Sequence, residues 1–192
     1  FRSEAGNITG RETTTNHAQA DYYITEESSI PKVYGGFGTK LKVYGVDFGI
    51  NFTYQIGGKQ YDGTYAYFMS SPYGTAGYNY HKDLLNSWTP ENTNTNIPRF
   101  QMNDQYSGAM STRFLTNASF LNIQNINVGY TLPSKWTRKL VINSLRVYMS
   151  AENVFYWSKR KGFDPRQSYD ETTNATFYSP MRTISGGVSF EF

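Results

Sequence analysis

Between Val46 and Gly57 hydrophobic and polar residues alternate without a break. Val46, Phe48, Ile50, Phe52, Tyr54 and Ile56 fall on one side; Asp47, Gly49, Asn51, Thr53, Gln55 and Gly57 fall on the other. A repeat of two is the side-chain period of a β-strand. The eleven residues from Val46 to Ile56, at about 3.3 Å each and tilted by about 45°, rise about 25 Å, the height of the apolar band of a membrane barrel. Strands of soluble proteins more often run about five or six residues.

The same pattern predicts four more strands. Val33 to Val43 places Val33, Gly35, Phe37, Thr39, Leu41 and Val43 opposite Tyr34, Gly36, Gly38, Lys40 and Lys42, with a short turn near Lys42 to Gly45 before the next strand. A strand is expected over about 113–132. Its late half puts Ile126, Val128, Tyr130 and Leu132 on one face, with Leu121 and Ile123 out of phase. One extra residue near Gln124 or Asn125 restores the register, which predicts a β-bulge there. Pro133 ends this strand, and Ser134 can cap a helical turn through Leu140. A fourth strand covers about 145–157. The fifth, 182–192, sets Ile184, Gly186, Val188, Phe190 and Phe192 against Thr183, Ser185, Gly187, Ser189 and Glu191, so the sequence stops on an aromatic of the apolar side.

Three segments separate or precede these strands: 1–32, which is polar, 58–112, and 158–181. A short helix is expected at His81 to Trp88 inside the second. Loops beyond about 15 residues are rare in compact domains and usually functional. With five strands alternating in direction, the short connections share one end and the long ones share the other. Membrane barrels have this asymmetry, with short periplasmic turns and long outer loops, whereas the strands of a soluble sandwich recur every 8 to 12 residues. The fold class read from the pattern is all-β: the C-terminal five antiparallel strands of a large transmembrane β-barrel. Five strands cannot close a membrane barrel, and an open edge in lipid leaves unpaired backbone groups. The rest of the wall is therefore expected elsewhere in a longer polypeptide, and Phe1-Arg2-Ser3-Glu4, without an initiator Met or signal-peptide pattern, fits that expectation.

Composition agrees. Of 192 residues, hydrophobics make up 38% and charged residues only 17%, against about 25% in typical soluble domains. Mean hydropathy is −0.60, and no apolar run approaches the roughly 18 residues of a spanning helix. Barrel strands escape both tests, because only every second residue faces lipid. The 17 Tyr, 13 Phe and 17 Gly suit an amphipathic β-wall. A soluble β-rich glycan-binding or adhesin domain would share the aromatics, and it is the alternative reading.

Candidate chemistry is sparse. Cysteine is absent, which excludes disulfides and thiolate sites. The net charge of +3 is small and scattered, so nucleic acid is not an expected partner. Asp21, Glu26 and Glu27 lack the spacing of a calcium loop, and no metal site or cofactor is expected. A Ser-His-Asp arrangement needs a positioned base; His17 and His81 lie in polar loop sequence, where solvation is the simpler account, so the chain is not read as an enzyme. Gly35-Gly36-Phe37-Gly38 precedes no helix and is no phosphate cradle. Lys159-Arg160-Lys161 reads as a solvated charge run, with lipopolysaccharide phosphates as the other option. Tyr54, Tyr130, Tyr156 and Trp157, near strand ends, suit an interfacial girdle.

Five ordered segments resemble the SusC/RagA-like TonB-dependent transporters. They are Pro31-Lys32-Val33-Tyr34-Gly35-Gly36-Phe37, then Trp88-Thr89-Pro90-Glu91-Asn92 with Ile97-Pro98-Arg99, then Ser119 to Pro133, Arg146-Val147-Tyr148 through Asn153-Val154-Phe155, and Gly162-Phe163-Asp164-Pro165. Arg166 departs from the pattern, which often has Glu there. The resemblance implies a barrel with an upstream plug and TonB box, importing glycans or peptides across the outer membrane in Bacteroidetes. It implies as partners a SusD-like surface lipoprotein acting as a lid, TonB, the remaining barrel and plug, and outer-membrane lipid and lipopolysaccharide. On this reading Tyr73, Tyr78, Tyr80 and Trp88 in the long outer loop are candidates for ligand or lid contact. Val188, Phe190 and Phe192 form the terminal strand that the barrel-assembly machinery reads.

Overall fold

A computed structural model of the chain describes residues 27–70, 79–104, 106–137, 142–166, 172–173 and 178–192. These fall into two compact units, one drawn from 1–27 and 63–114, the other from 28–62 and 115–192.

The second unit is built on a five-stranded antiparallel sheet. Its strands are β1 (Val33–Val43), β2 (Val46–Ile56), β5 (Phe120–Thr131), β6 (Ser144–Ser158) and β8 (Thr183–Glu191), in the order β1-β2-β5-β6-β8. A smaller sheet joins β4 (Leu115–Asn117), β3 (Lys59–Asp62) and β7 (Thr172–Thr173), with β3 and β7 parallel. The β1–β2 hairpin closes in two residues, Tyr44 at φ 49° and Gly45 at φ 85°. Positive φ at both positions is what a two-residue turn compatible with strand twist requires. Gly45 is also pinned from the side: its carbonyl accepts from Thr131 N at 2.7 Å, and a Cβ there would lie 2.6 Å from the Thr131 carbonyl oxygen.

The strand expected over 113–132 is two strands. Ser119 N donates to Asn117 Oδ1 at 2.8 Å, an Asx turn that breaks the chain between them. Ala118 N then donates to the Gly58 carbonyl at 3.0 Å, which sends Leu115–Asn117 to pair with β3 rather than β2. The 58–112 segment is correspondingly not all loop, since it contributes β3 and a short α-helix, α1 (Gly63–Phe68). The expected helix at 81–88 is a 3₁₀ turn, Lys82–Asn86, and the turn after Pro133 is α2 (Ser134–Thr137).

Register puts the alternating apolar positions of the five strands on one face, whereas Phe120, Tyr148 and Tyr156 stand on the other. Phe37, Phe52, Ile123 and Phe155 are successive cross-strand partners, as are Leu41, Phe48, Val128 and Met149. On β8, Val188 pairs with Val147 and Phe190 with Leu145. The bulge falls at Gln124: Asn51 and Phe52 of β2 oppose Asn125 and Ile123 of β5. That one residue shifts Leu121 and Ile123 onto the face of Ile126 and Val128.

Nothing in the described residues covers this face. Leu41 is 59% exposed, Ile184 67% and Val188 57%. The buried apolar residues are Ala66, Met69, Phe114, Ala118 and Phe163, and none belongs to the five strands. A sandwich would bury this face against a second sheet. In the first unit, Phe114 is buried beneath the ring of Tyr65 at 6.1 Å and the guanidinium of Arg113 at 5.2 Å. Desolvation lowers the pKa of Arg113, with the nearby Tyr65 opposing.

Candidate functional site on the polar face

The opposite face is organised in cross-strand rows. One row runs Gly36, Thr53, Asn122, Tyr156; the next runs Gly38, Asn51, Asn125, Glu152. Carboxamides link them: Asn51 Nδ2 donates to Asn125 Oδ1 at 2.8 Å, and Asn122 Nδ2 to Thr53 Oγ1 at 3.3 Å. Farther along, Arg146 on β6 reaches Asp47 on β2, Nη2 to Oδ2 at 2.6 Å, passing over the intervening strand β5. The crossing is possible because Gly129 of β5 lies beneath. A Cβ there would meet Arg146 Nη2 at 2.5 Å and both Asp47 carboxylate oxygens at 2.6 Å.

At the other end of the strands the chain folds back from β6 and locks onto the first of these rows. Ser158 Oγ lies 2.7 Å from the carbonyls of both Arg160 and Phe163. Arg160 Nη1 pairs with the buried Asp62 carboxylate at 3.0 Å. Gln60 Nε2 donates to the Pro165 carbonyl at 3.3 Å. Arg166 then makes the lock. It grips Asp164 through Nε to Oδ1 at 2.9 Å and Nη2 to Oδ2 at 2.8 Å, donates Nη1 to Asn122 Oδ1 at 2.7 Å, and lies 4.2 Å above the Tyr156 ring. Burial alone would push the Asp164 carboxyl up. The guanidinium and backbone N–H of Arg166, with the Ser179 hydroxyl, outweigh it and hold the carboxyl below its usual range. In the small sheet, burial raises the Tyr61 phenol, reinforced by the charge of Asp62.

Beside this lock the polar face opens into a cleft of about 710 Å³, lined by Pro31, Tyr34, Thr53, Gln55, Phe120 and Arg166 among others. In the sequence Arg166 stands out only as a departure from the family pattern, and nothing local marks the cleft. The signal was present in Tyr34, Gln55 and Arg166, but their adjacency depends on register.

The expected site residues divide. Tyr73, Tyr78 and His17 lie outside the described residues. Tyr80 packs edge-on against Phe100 at 5.1 Å, and Trp88 begins a separate turn, with Trp88 N donating to the Ile97 carbonyl at 2.9 Å and its side chain half-exposed. Val188, Phe190 and Phe192 line the apolar face or its end, exposed, with the two phenyl rings 5.5 Å apart. Three expectations need correction. His81 is not simply solvated: its Nδ1 accepts from Asp83 N at 3.2 Å, capping the 3₁₀ turn, and its ring meets Tyr65 at 4.8 Å. Arg160 leaves the charge run for Asp62. Tyr156 is no girdle residue, because its register partner Asn122 places it on the polar face under Arg166.

No family model matches the chain. Among curated proteins it is similar to TonB-dependent receptor P3 of Formosa agariphila, with 25% identity over 167 residues, covering 82% of this chain and 16% of the relative. It is also similar to TonB-dependent receptor SusC of Bacteroides thetaiotaomicron, with 37% identity over 84 residues, 43% of this chain and 8% of the relative. Among solved structures, the RagAB peptide importer in its open-open state matches with a TM-score of 0.80 at 29% identity, covering 97% of this chain and 20% of that one. The closed-closed state matches with a TM-score of 0.73 at 30% identity over 88% of this chain. The chain therefore spans about a fifth or less of the relatives it matches. These relatives are receptors and transporters, not enzymes. Sequence relatives and solved structures agree on one assignment: this chain is part of a SusC/RagA-like TonB-dependent receptor and supplies an unclosed stretch of its β-barrel.

Proposed function

We propose that the chain is the C-terminal part of the wall of an outer-membrane transporter that imports glycans or peptides, driven through TonB and closed by a SusD-like lipoprotein. The observation that carries this reading is the uncovered apolar face running through all five strands in register. A soluble domain would lose that face to water, whereas acyl chains supply the partner it lacks. The polar face then looks into the lumen, toward the plug. The Tyr44–Gly45 turn and the connection after Thr131 are periplasmic, and the connections leaving Ile56 and Ser158 are external. Val188, Phe190 and Phe192 are proposed to present the closing strand to the assembly machinery, and Lys159 and Lys161 to meet lipopolysaccharide.

The test is Ile50→Arg in the full-length receptor. A mid-membrane cation should cost roughly 2 to 4 kcal/mol and reduce the fraction recovered in the outer membrane. A neutral result would mean that this face does not meet lipid. Tyr73, Tyr78, Tyr80 and Trp88 are proposed to contact the ligand or the lid. Trp88→Ala should lower substrate uptake or slow lid closure, and unchanged values for both would remove Trp88 from the site.

A further inference from the structure

We propose that Tyr148 and Gly187 act as a key and slot that fix the register of β8 against β6 when the wall is assembled, with Asn153 as a second positioning residue where β8 begins. The proposal rests on the membrane-wall reading above. The sequence of β8 leaves its register open. Ile184, Gly186, Val188 and Phe190 alternate with Thr183, Ser185, Gly187 and Ser189 without a break. A slip of one residue would turn the apolar set to the polar face and is costly. A slip of two keeps each side chain on its own face, and the backbone bonds can re-form. Alternation therefore does not choose among Gly186, Val188 and Phe190 as the partner of Val147, yet the structure pairs Val147 with Val188.

The choice is made on the polar face. Tyr148 stands opposite Gly187, and its ring lies over that residue. A Cβ on Gly187 would sit 2.6 Å from both Cζ and the phenol oxygen of Tyr148, closer than atoms pack. A slip of two in either direction brings Ser185 or Ser189 under the ring, and each carries that Cβ. The ring cannot swing aside toward β5. Its neighbour there, Gly129, is roofed by Arg146 and Asp47, which a Cβ on Gly129 would meet at 2.5 and 2.6 Å. Arg146, held by Asp47 at 2.6 Å, also flanks the Tyr148 ring, with its Cζ 5.3 Å from the ring centroid. At the entrance to β8, the β6–β8 ladder stops at Glu152 and Thr183. The next residue, Asn153, has φ 50°, a left-handed conformation that Asn tolerates. Its Nδ2 donates to the Met181 carbonyl at 3.2 Å and holds the incoming chain where the ladder ends.

The experiment reads register in the full-length receptor, assembled in the outer membrane with any other cysteine replaced by serine. Val147→Cys is combined in turn with Val188→Cys, Gly186→Cys and Phe190→Cys. Disulfide yield on oxidation then reports the native register and the two slips. With Tyr148 and Gly187 intact, the 147–188 pair should exceed either slipped pair by at least about tenfold, the ratio that such an overlap implies. Tyr148→Ala removes the ring and Gly187→Ala fills the slot, so each should bring the three yields within about threefold of one another. Tyr148→Phe and Ser185→Ala should leave the preference as it was. Asn153→Asp, which sets an acceptor against the Met181 carbonyl, should weaken it by a smaller factor. A preference within about twofold of the native one in both Tyr148→Ala and Gly187→Ala overturns the key. Tyr148→Ala should still insert, because each slipped register keeps its apolar face toward lipid, and its absence from the membrane overturns the key as well. If Gly187→Ala does not insert, adding Tyr148→Ala must restore insertion, and a double variant that still fails counts against the key in the same way. A receptor with Tyr148 and Gly187 intact that never reaches the membrane refutes the wall reading beneath it instead.

Discussion

Replacing Arg166 by Met keeps most of the side chain's length and removes its charge. The Asp164–Arg166 pair is buried, with side chains 1% and 11% exposed. Removing one partner of such a pair typically costs about 3 to 5 kcal/mol, because the other charge stays behind without compensation. Here the loss also frees Asn122 Oδ1 and uncovers the Tyr156 ring. The damage should be local to the fold-back from Ser158 to Arg166, since the strands keep their own ladder. Hydrogen exchange of a 159–166 peptide in the full-length receptor reads that local opening directly. The expected change is a rise in opening of roughly 10² to 10⁴-fold, the equilibrium equivalent of that cost. The pH dependence gives a second readout. In the native protein the Asp164 carboxyl is depressed, so its contribution is fully present above the unfolded value near 3.9 and is lost as pH falls through the lower folded value. In Arg166→Met burial dominates and the carboxyl rises, so the segment should become better protected on acidification from pH 7 toward 4, after correction for intrinsic exchange. Protection within about twofold of the native protein, or an unchanged pH trend, would refute the clamp.

Two further outcomes follow from the strands. Gly45→Val should destabilise the hairpin by about 1 to 3 kcal/mol, through its positive φ and the overlap with the Thr131 carbonyl, and should slow acquisition of the heat-resistant folded band in gel-shift folding assays. Deleting Gln124 should turn Leu121 and Ile123 to the polar face, so that little of the receptor folds into the outer membrane. Insertion at the native level would show that β5 can re-register without its bulge.

The apolar wall was legible because its information is local. Alternation in Val46–Gly57 needs no partner, and the phase slip between Ile123 and Ile126 names its own repair. The break at Ala118 was harder. The cue is a single Asn117 two residues before Ser119, and strand propensity on either side masks it. The polar face was hardest, because its content lies in pairs far apart in sequence. Asp47 meets Arg146, Arg166 meets Asn122, and Tyr34 stands beside Gln55 only once register is fixed. Neither Gly129 nor Arg166 carries a periodic signal. Each makes sense only from the strand next door.

The irregularity at mid-height has a consequence for how the wall closes. Between the same two levels, β2 advances one residue (Asn51 to Phe52), β5 two (Asn125 to Ile123) and β6 three (Glu152 to Phe155). Register therefore slips by one residue at each strand boundary crossed, about 3.3 Å per step. A closed barrel needs such a stagger, because the total slip around its circumference sets the tilt of its strands and its diameter. Gln124 and the pair Asn153–Val154 thus supply a share of the shear of the complete barrel, encoded in three residues.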